Sequence, residues 1–213
     1  MLRRAFLSHL TGTAALVGGG QAVAPSTPAA PAPGSPWTPA RHALDEWMDQ
    51  IPGKHRVVFD TFMADHFGLA VAFAGNQFRM NKEAYGLQDS DLAMIMVVRH
   101  GTGPYVFNEA MWSKYGTIFA ENMSVADAGS RPKPEHPYLA RLTTYVKQGM
   151  HFAVCNLTTS NYARMVAKKN GTDFDAAYKE LTTNAIGNAH FVSAGVVAVT
   201  RAQEYGYALV TTG

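Results

Sequence analysis

The chain has 213 residues, 47% of them hydrophobic, a formal charge of +2 and one cysteine. A nearly neutral chain without a lysine/arginine cluster lacks the basic footprint that nucleic acid binding demands. A single cysteine excludes an internal disulfide, so its sulfur is free, bonded to another molecule or packed into the core.

In chain order, Arg3 and Arg4 precede Phe6 and Leu7, an apolar stretch covers Leu10 to Val17, and Ala22-Val23-Ala24 supplies small residues at a cleavage site. This three-part pattern predicts a signal peptide over residues 1–24, and the paired arginines point to the twin-arginine route and a periplasmic or exported location. The apolar stretch falls far short of the ~20 residues of a membrane span, so no stable span is expected. Residues 25–40 form a Pro/Ala-rich linker, extended because proline fixes φ and lacks a donor. The segment before Arg41 holds Arg3 and Arg4 and no acid, so the remaining domain, residues 41–213, has no net formal charge.

Within that domain, Arg56 to Asp60 is short, β-branched and apolar, and predicts a strand. Helical spacing of Phe67, Val71, Ala74 and Phe78 predicts a helix from Phe67 to Met80, with Asp65 as its N-cap and Gly86 as its stop. The unbroken apolar run Leu92 to Val98 predicts a strand buried on both faces, as in a parallel sheet. A helix from about Tyr105 to Tyr115 follows Pro104. Thr117 to Pro137, with Gly129 and three prolines, predicts a long irregular loop or flap. Further helices are expected over Tyr138 to Gln148, Asn161 to Lys169, Phe174 to Leu181 and from Ser193 to about Gln203, with strands over His151 to Leu157 and Tyr207 to Thr211. The alternation predicts an α/β fold with a mostly parallel sheet and helices on both faces.

Ligands of such sheets bind beyond the carboxyl ends of the strands. Asp60 and Thr61, then Arg99, His100 and Gly101, then Cys155 and Asn156 stand at those ends. His151 opens its strand, and strand rise places it more than ~10 Å from Cys155 on the opposite rim. Cys155, at a strand end with a helix starting near Ser160, has access and a favourable dipole for a thiolate; Arg99 and His100 add positive charge if they share its rim. Against this stands the inert packing to which free cysteine is prone. His66, His100, His190 and Cys155 offer donors for a metal, but their separations match no compact zinc pattern. The ten methionines read as core filler, because none forms a Met-x-x-Met cluster.

The stretch Gln148 to Asn156, with its G-x-x-x-x-x-C spacing, resembles the cysteine strand of the DsrE/DsrF-like family of sulfur-relay proteins. The closing Gly195 to Val199 and Gln203 to Ala208 are similar to that family's last helix and strand, and Leu92 to Gly101 fits its second strand. The resemblance implies a flavodoxin-like three-layer sandwich of about five strands that forms oligomers. It implies that Cys155 accepts persulfide sulfur, with a sulfur donor or acceptor protein or a small sulfur compound as partner, and no cofactor. Relay members are largely cytoplasmic, whereas this chain carries an export pattern. Three functions follow as expectations: an exported persulfide carrier with Cys155, Arg99 and His100 at its site; a cell-envelope ligand- or metal-binding module using His100, Cys155 and the long loop; and a structural oligomer subunit. A carrier is favoured over an enzyme with its own turnover, because no general base stands next to a nucleophile.

Overall fold

The computed structural model describes residues 37–212. The expected signal peptide and most of the expected linker lie outside the described residues. From Pro39 onward the chain gathers into one compact unit.

Its centre is a five-stranded, all-parallel sheet: β1 (His55–Thr61), β2 (Leu92–Val98), β3 (His151–Cys155), β4 (Ala189–Val192) and β5 (Ala208–Thr211), in the order β4-β3-β2-β1-β5. Around it run α1 (Trp47–Gln50), α2 (Phe67–Tyr85), α3 (Glu109–Asn122), α4 (Leu139–Lys147), α5 (Asn156–Asn170), α6 (Phe174–Thr183) and α7 (Gly195–Glu204). The architecture is a flavodoxin-like three-layer α/β sandwich.

The run Leu92 to Val98 shows why. All seven residues are buried, and strand alternation deals them to two cores. Leu92, Met94, Met96 and Val98 face α2 to α6 together with Phe59, Phe152 and Val154. Ala93, Ile95 and Val97 face α1 and α7 together with Val58 and Ala153. Steps from β1 to β2, β3 and β4 march in one direction, so right-handed crossovers put their helices on one face. The return from β4 to β5 reverses direction, and α7 crosses on the other face.

Several expected boundaries moved. The helix expected from Tyr105 begins at Glu109, because residues His100–Val106 form a buried 3-10 turn containing Pro104, and Asn108 caps the helix by accepting from the Met111 N–H at 3.2 Å. That helix runs on to Asn122, which shortens the irregular stretch to residues 123–138. Asp65 is not a helix cap: His66 occupies the cap position, and the Asp65 carboxylate instead accepts from the backbone N–H groups of Ala126 and Asp127 at 3.0 and 3.1 Å. It thereby clips the 123–138 segment to the start of α2. Burial pushes the Asp65 carboxyl up, but these two amide donors, its own backbone N–H and the charge of His66 together hold the group below its usual range. Gly86 and Gly171 end α2 and α5 in the left-handed region, at φ 69° and 65°, as expected of helix-stopping glycines.

Candidate functional site

Three of the seven rim residues expected from the sequence converge for one geometric reason. Asp60, Arg99 and Cys155 each lie two residues beyond a strand residue of the α7-side core (Val58, Val97 and Ala153), so alternation aims all three at that face. Register completes the arrangement. Val98 pairs with Val154, so Arg99 and Cys155 are the next neighbours across β2 and β3.

Arg99 forms a two-pronged ion pair with Asp60, Nε to Oδ1 at 2.8 Å and a terminal nitrogen to Oδ2 at 2.9 Å, with both side chains largely buried. Its guanidinium also lies 4.6 Å over the Phe62 ring. The hydrogen bond that Arg99 donates to Asp60 raises its pKa; burial opposes it, and the charges of Asp60 and Cys155 add to the rise. Arg99 is therefore permanently charged and fixed in place. Arg99 shares the rim with Cys155, but its charge is directed mainly at Asp60. Gly195 makes this packing possible, since a Cβ there would come within 2.8 and 2.9 Å of the Arg99 stem.

The turn after β2 is held rigidly. Thr102 Oγ1 accepts from the Arg99 N–H at 3.0 Å and lies 2.9 Å from Thr61 Oγ1, which itself donates to the Val97 carbonyl at 2.7 Å. His100 sits at φ 50°, a left-handed conformation that is unfavourable for a side chain with a Cβ, and its N–H donates to Thr158 Oγ1 at 2.9 Å. Its imidazole is exposed and lines the same cleft as Cys155. Gly101 lets Ser124 close on this turn: a Cβ at position 101 would fall on the Ser124 carbonyl oxygen and 2.8 Å from its nitrogen. Gly101→Ala is therefore expected to cost about 1–3 kcal/mol by forced backbone shifts and to displace Ser124; urea unfolding measures it, and an unchanged midpoint would refute the fit.

Cys155 ends β3, and α5 begins at the very next residue. The residue is buried, 5% exposed, and borders an open cleft of about 360 Å³. Arg99, His100, Ser124, Asn161, Leu157 and Val196 are among its walls, and no carboxylate lines it. The first turns of α5 and α7 both contribute to these walls, so two helix N-termini place N–H groups and positive partial charge there. Position has the same topological origin. After β3 the chain goes to one face of the sheet and after β4 to the other, which opens a crevice between the two strand ends. The arrangement places two helix N-termini, Arg99 and His100 beside a thiol in a cleft whose lining is otherwise mainly apolar.

The structure does not bring together the four residues weighed for a metal. His190 lies in β4 beside the first residue of β3, where its Nε2 is 2.9 Å from His151 Nδ1 and its ring stacks on Trp47 at 3.9 Å. Burial and the neighbouring His151 push the His190 pKa down to about 4. His66 caps α2. Among the described residues no group of three or more His, Cys, Asp or Glu is placed to hold a metal ion, and no helix is long and apolar enough to cross a membrane. The walls from Ser124, Asn161 and the start of α7 were not legible from sequence; only Gly195, a glycine opening a helix, carried a local signal.

No family model matches the chain, and no curated protein does. Among solved structures it is similar to a protein of unknown function, MTH1491, from Methanobacterium thermoautotrophicum, at 17% identity and a TM-score of 0.40, over 74% of this chain and 99% of that one.

Proposed function

We propose that the protein is an exported persulfide carrier that holds one sulfane sulfur on Cys155. The observation that carries this reading is the position of Cys155: the last residue of β3, on the wall of an open cleft at the divergence of β3 and β4, ringed by two helix N-termini and free of carboxylates. The likeness of Gln148 to Asn156 to the cysteine strand of DsrE/DsrF-like proteins, and the twin-arginine pattern, support it from the sequence.

The chemistry needs no cofactor. The Cys155 thiolate attacks a terminal sulfur of a polysulfide, the adjacent sulfur–sulfur bond breaks, and the shortened polysulfide leaves with the electron pair. A Cys155 persulfide remains, and attack by an acceptor thiolate on its outer sulfur reverses the step. Helix amides and His100 at the cleft stabilise the negative charge of the attacking and leaving sulfurs, while Arg99, locked to Asp60, keeps the end of β2 in position. The 5% exposure of Cys155 limits attack to small donors or to a thin protruding group on a partner.

Intact-mass measurement after a polysulfide challenge tests the proposal. The wild-type chain is expected to gain one sulfur atom, removable by dithiothreitol, and Cys155→Ser none. A wild-type mass that does not change would set the carrier aside, and Cys155 would then be a packing residue.

A further inference from the structure

A groove larger than the Cys155 cleft lies elsewhere on the domain. It lies between α2 and α4, encloses about 690 Å³, and is walled by Arg79, Lys82 and Arg141 with Asn76, Thr144 and Gln148 between them. On α2 the residues Gly75, Arg79 and Lys82 fall at intervals of four and three, one face of a helix, and Arg141 and Thr144 on α4, with Gln148 at its C-cap, follow at intervals of three and four. The cations thus line the groove from both sides.

Their surroundings separate them from Arg99. Arg99 spends its charge on Asp60, whereas Arg79, Lys82 and Arg141 enter no ion pair among the described residues. Arg79 is braced by a neutral partner, donating to Asn76 Oδ1 at 3.3 Å. The one carboxylate in the walls, Asp89, already accepts from Gln148 Nε2 at 3.0 Å. Tyr145 closes the floor, its hydroxyl donating to the Val71 carbonyl at 2.7 Å, and its packing requires a glycine at position 75 because a Cβ there would lie 2.6 Å from that hydroxyl. The same Cβ would lie 3.8 Å from an Arg141 nitrogen, so the Arg141 guanidinium reaches across to α2.

We infer that the α2/α4 groove binds a multivalent oxyanion of the phosphate class, held by Arg79, Lys82 and Arg141. Guanidinium forks match tetrahedral oxyanions in two-pronged fashion, and three cations within one groove favour a ligand with more than one charged group over a single carboxylate. The site lies on α2 and α4, which supply no wall of the Cys155 cleft, and its occupancy does not depend on sulfur chemistry.

Calorimetric titration of the folded protein with sodium tripolyphosphate at low ionic strength tests the inference, with anionic phosphatidylglycerol vesicles as a second arm. Saturable binding of tripolyphosphate is expected, weakened about tenfold or more in Arg79→Gln/Arg141→Gln. Lys82→Gln, on an exposed position that leaves the packing intact, is expected to weaken it as well. The control Lys168→Gln/Lys179→Gln removes the same charge from the last turn of α5 and the middle of α6 and is expected to leave the affinity within twofold. Vesicle binding abolished by the same groove substitutions, without affinity for tripolyphosphate, would place the phosphate group on a lipid. Equal weakening by groove and control pairs, or no saturable binding in either arm, would overturn the site.

Discussion

Asp60→Ala is expected to destabilise the protein by about 3–5 kcal/mol, the cost of leaving a largely buried cation without its partner. The Asp60 and Arg99 side chains are only 13% and 16% exposed, and no carboxylate lines the cleft beside Arg99 to take the place of Asp60. Paired replacement by apolar residues, Asp60→Leu with Arg99→Leu, is expected to recover much of that loss, because neither charge is then stranded. Chemical denaturation of the two single variants and the double variant provides the cycle. A single-variant loss below about 1 kcal/mol would mean that water screens the pair as it does a surface bridge. The same cycle reaches the candidate site, since Arg99 packs on Gly195 at the start of α7 and fixes the wall opposite Cys155.

Acidification is expected to release the 123–138 segment, and His136 sets where this happens. Its Nε2 lies 2.8 Å from the Tyr105 carbonyl and its Nδ1 3.2 Å from the Tyr138 N–H, so the neutral ring donates through Nε2 and accepts through Nδ1. Tyr105 and Trp112 pack around it, with ring centroids at 5.6 and 5.1 Å. Burial lowers its pKa from 6.5 to about 4, against the opposing hydrogen bond to Tyr105. Folding therefore favours the neutral ring. Its contribution is complete above pH 6.5, declines as pH falls through the interval down to about 4, and is spent below that. A displacement of this size corresponds to about 3 kcal/mol. His136→Phe is expected to remove most of the pH dependence between 6.5 and 4 while lowering stability at neutral pH, because the Tyr138 amide loses its acceptor. Urea unfolding across that range checks both effects, and a variant with the wild-type slope would assign the acid sensitivity to another group. The His190–His151 pair is the natural second source, since His190 is depressed in the same direction.

The segment matters beyond stability. Asp65 clips it through Ala126 and Asp127, and Ser124 at its start packs on Gly101 and forms part of the Cys155 cleft. Loosening of the His136 latch is thus expected to widen access to the sulfur.

How much of this was legible in the chain depends on what each residue's neighbours contribute. The continuous apolar run Leu92 to Val98 announced a strand buried on both faces, because no helix-period or half-polar pattern accommodates seven apolar residues in succession. Cys155 and the pair Arg99-His100 were placed on one rim by strand direction alone, and His151 on the other, where it meets His190. The edge strand β4 was not legible. Its four residues Ala189 to Val192 are short and mostly half-buried, and they become a strand only because β3 offers unpaired backbone groups in the matching register. The turn at His100–Val106, whose last residues Tyr105 and Val106 were read as the start of the next helix, was incompletely legible for a related reason. Its compactness comes from Thr102 bonding with Arg99 and Thr61, a contact forty-one residues away for the latter.

What the sequence determined by itself is the set of buried parallel strands, their helices and the end of β3 on which the thiol stands, since side-chain size, periodicity and glycine stops act locally. What only the tertiary structure decided is which side chains meet. Alternation and register turn Asp60 toward Arg99 and neutralise it, and the reversed crossover after β4 brings α7 against the cleft. The pairing of α2 with α4 gathers three cations that form no ion pair among the described residues, because contacts between residues far apart in the chain depend on how the elements pack and leave no local pattern to read.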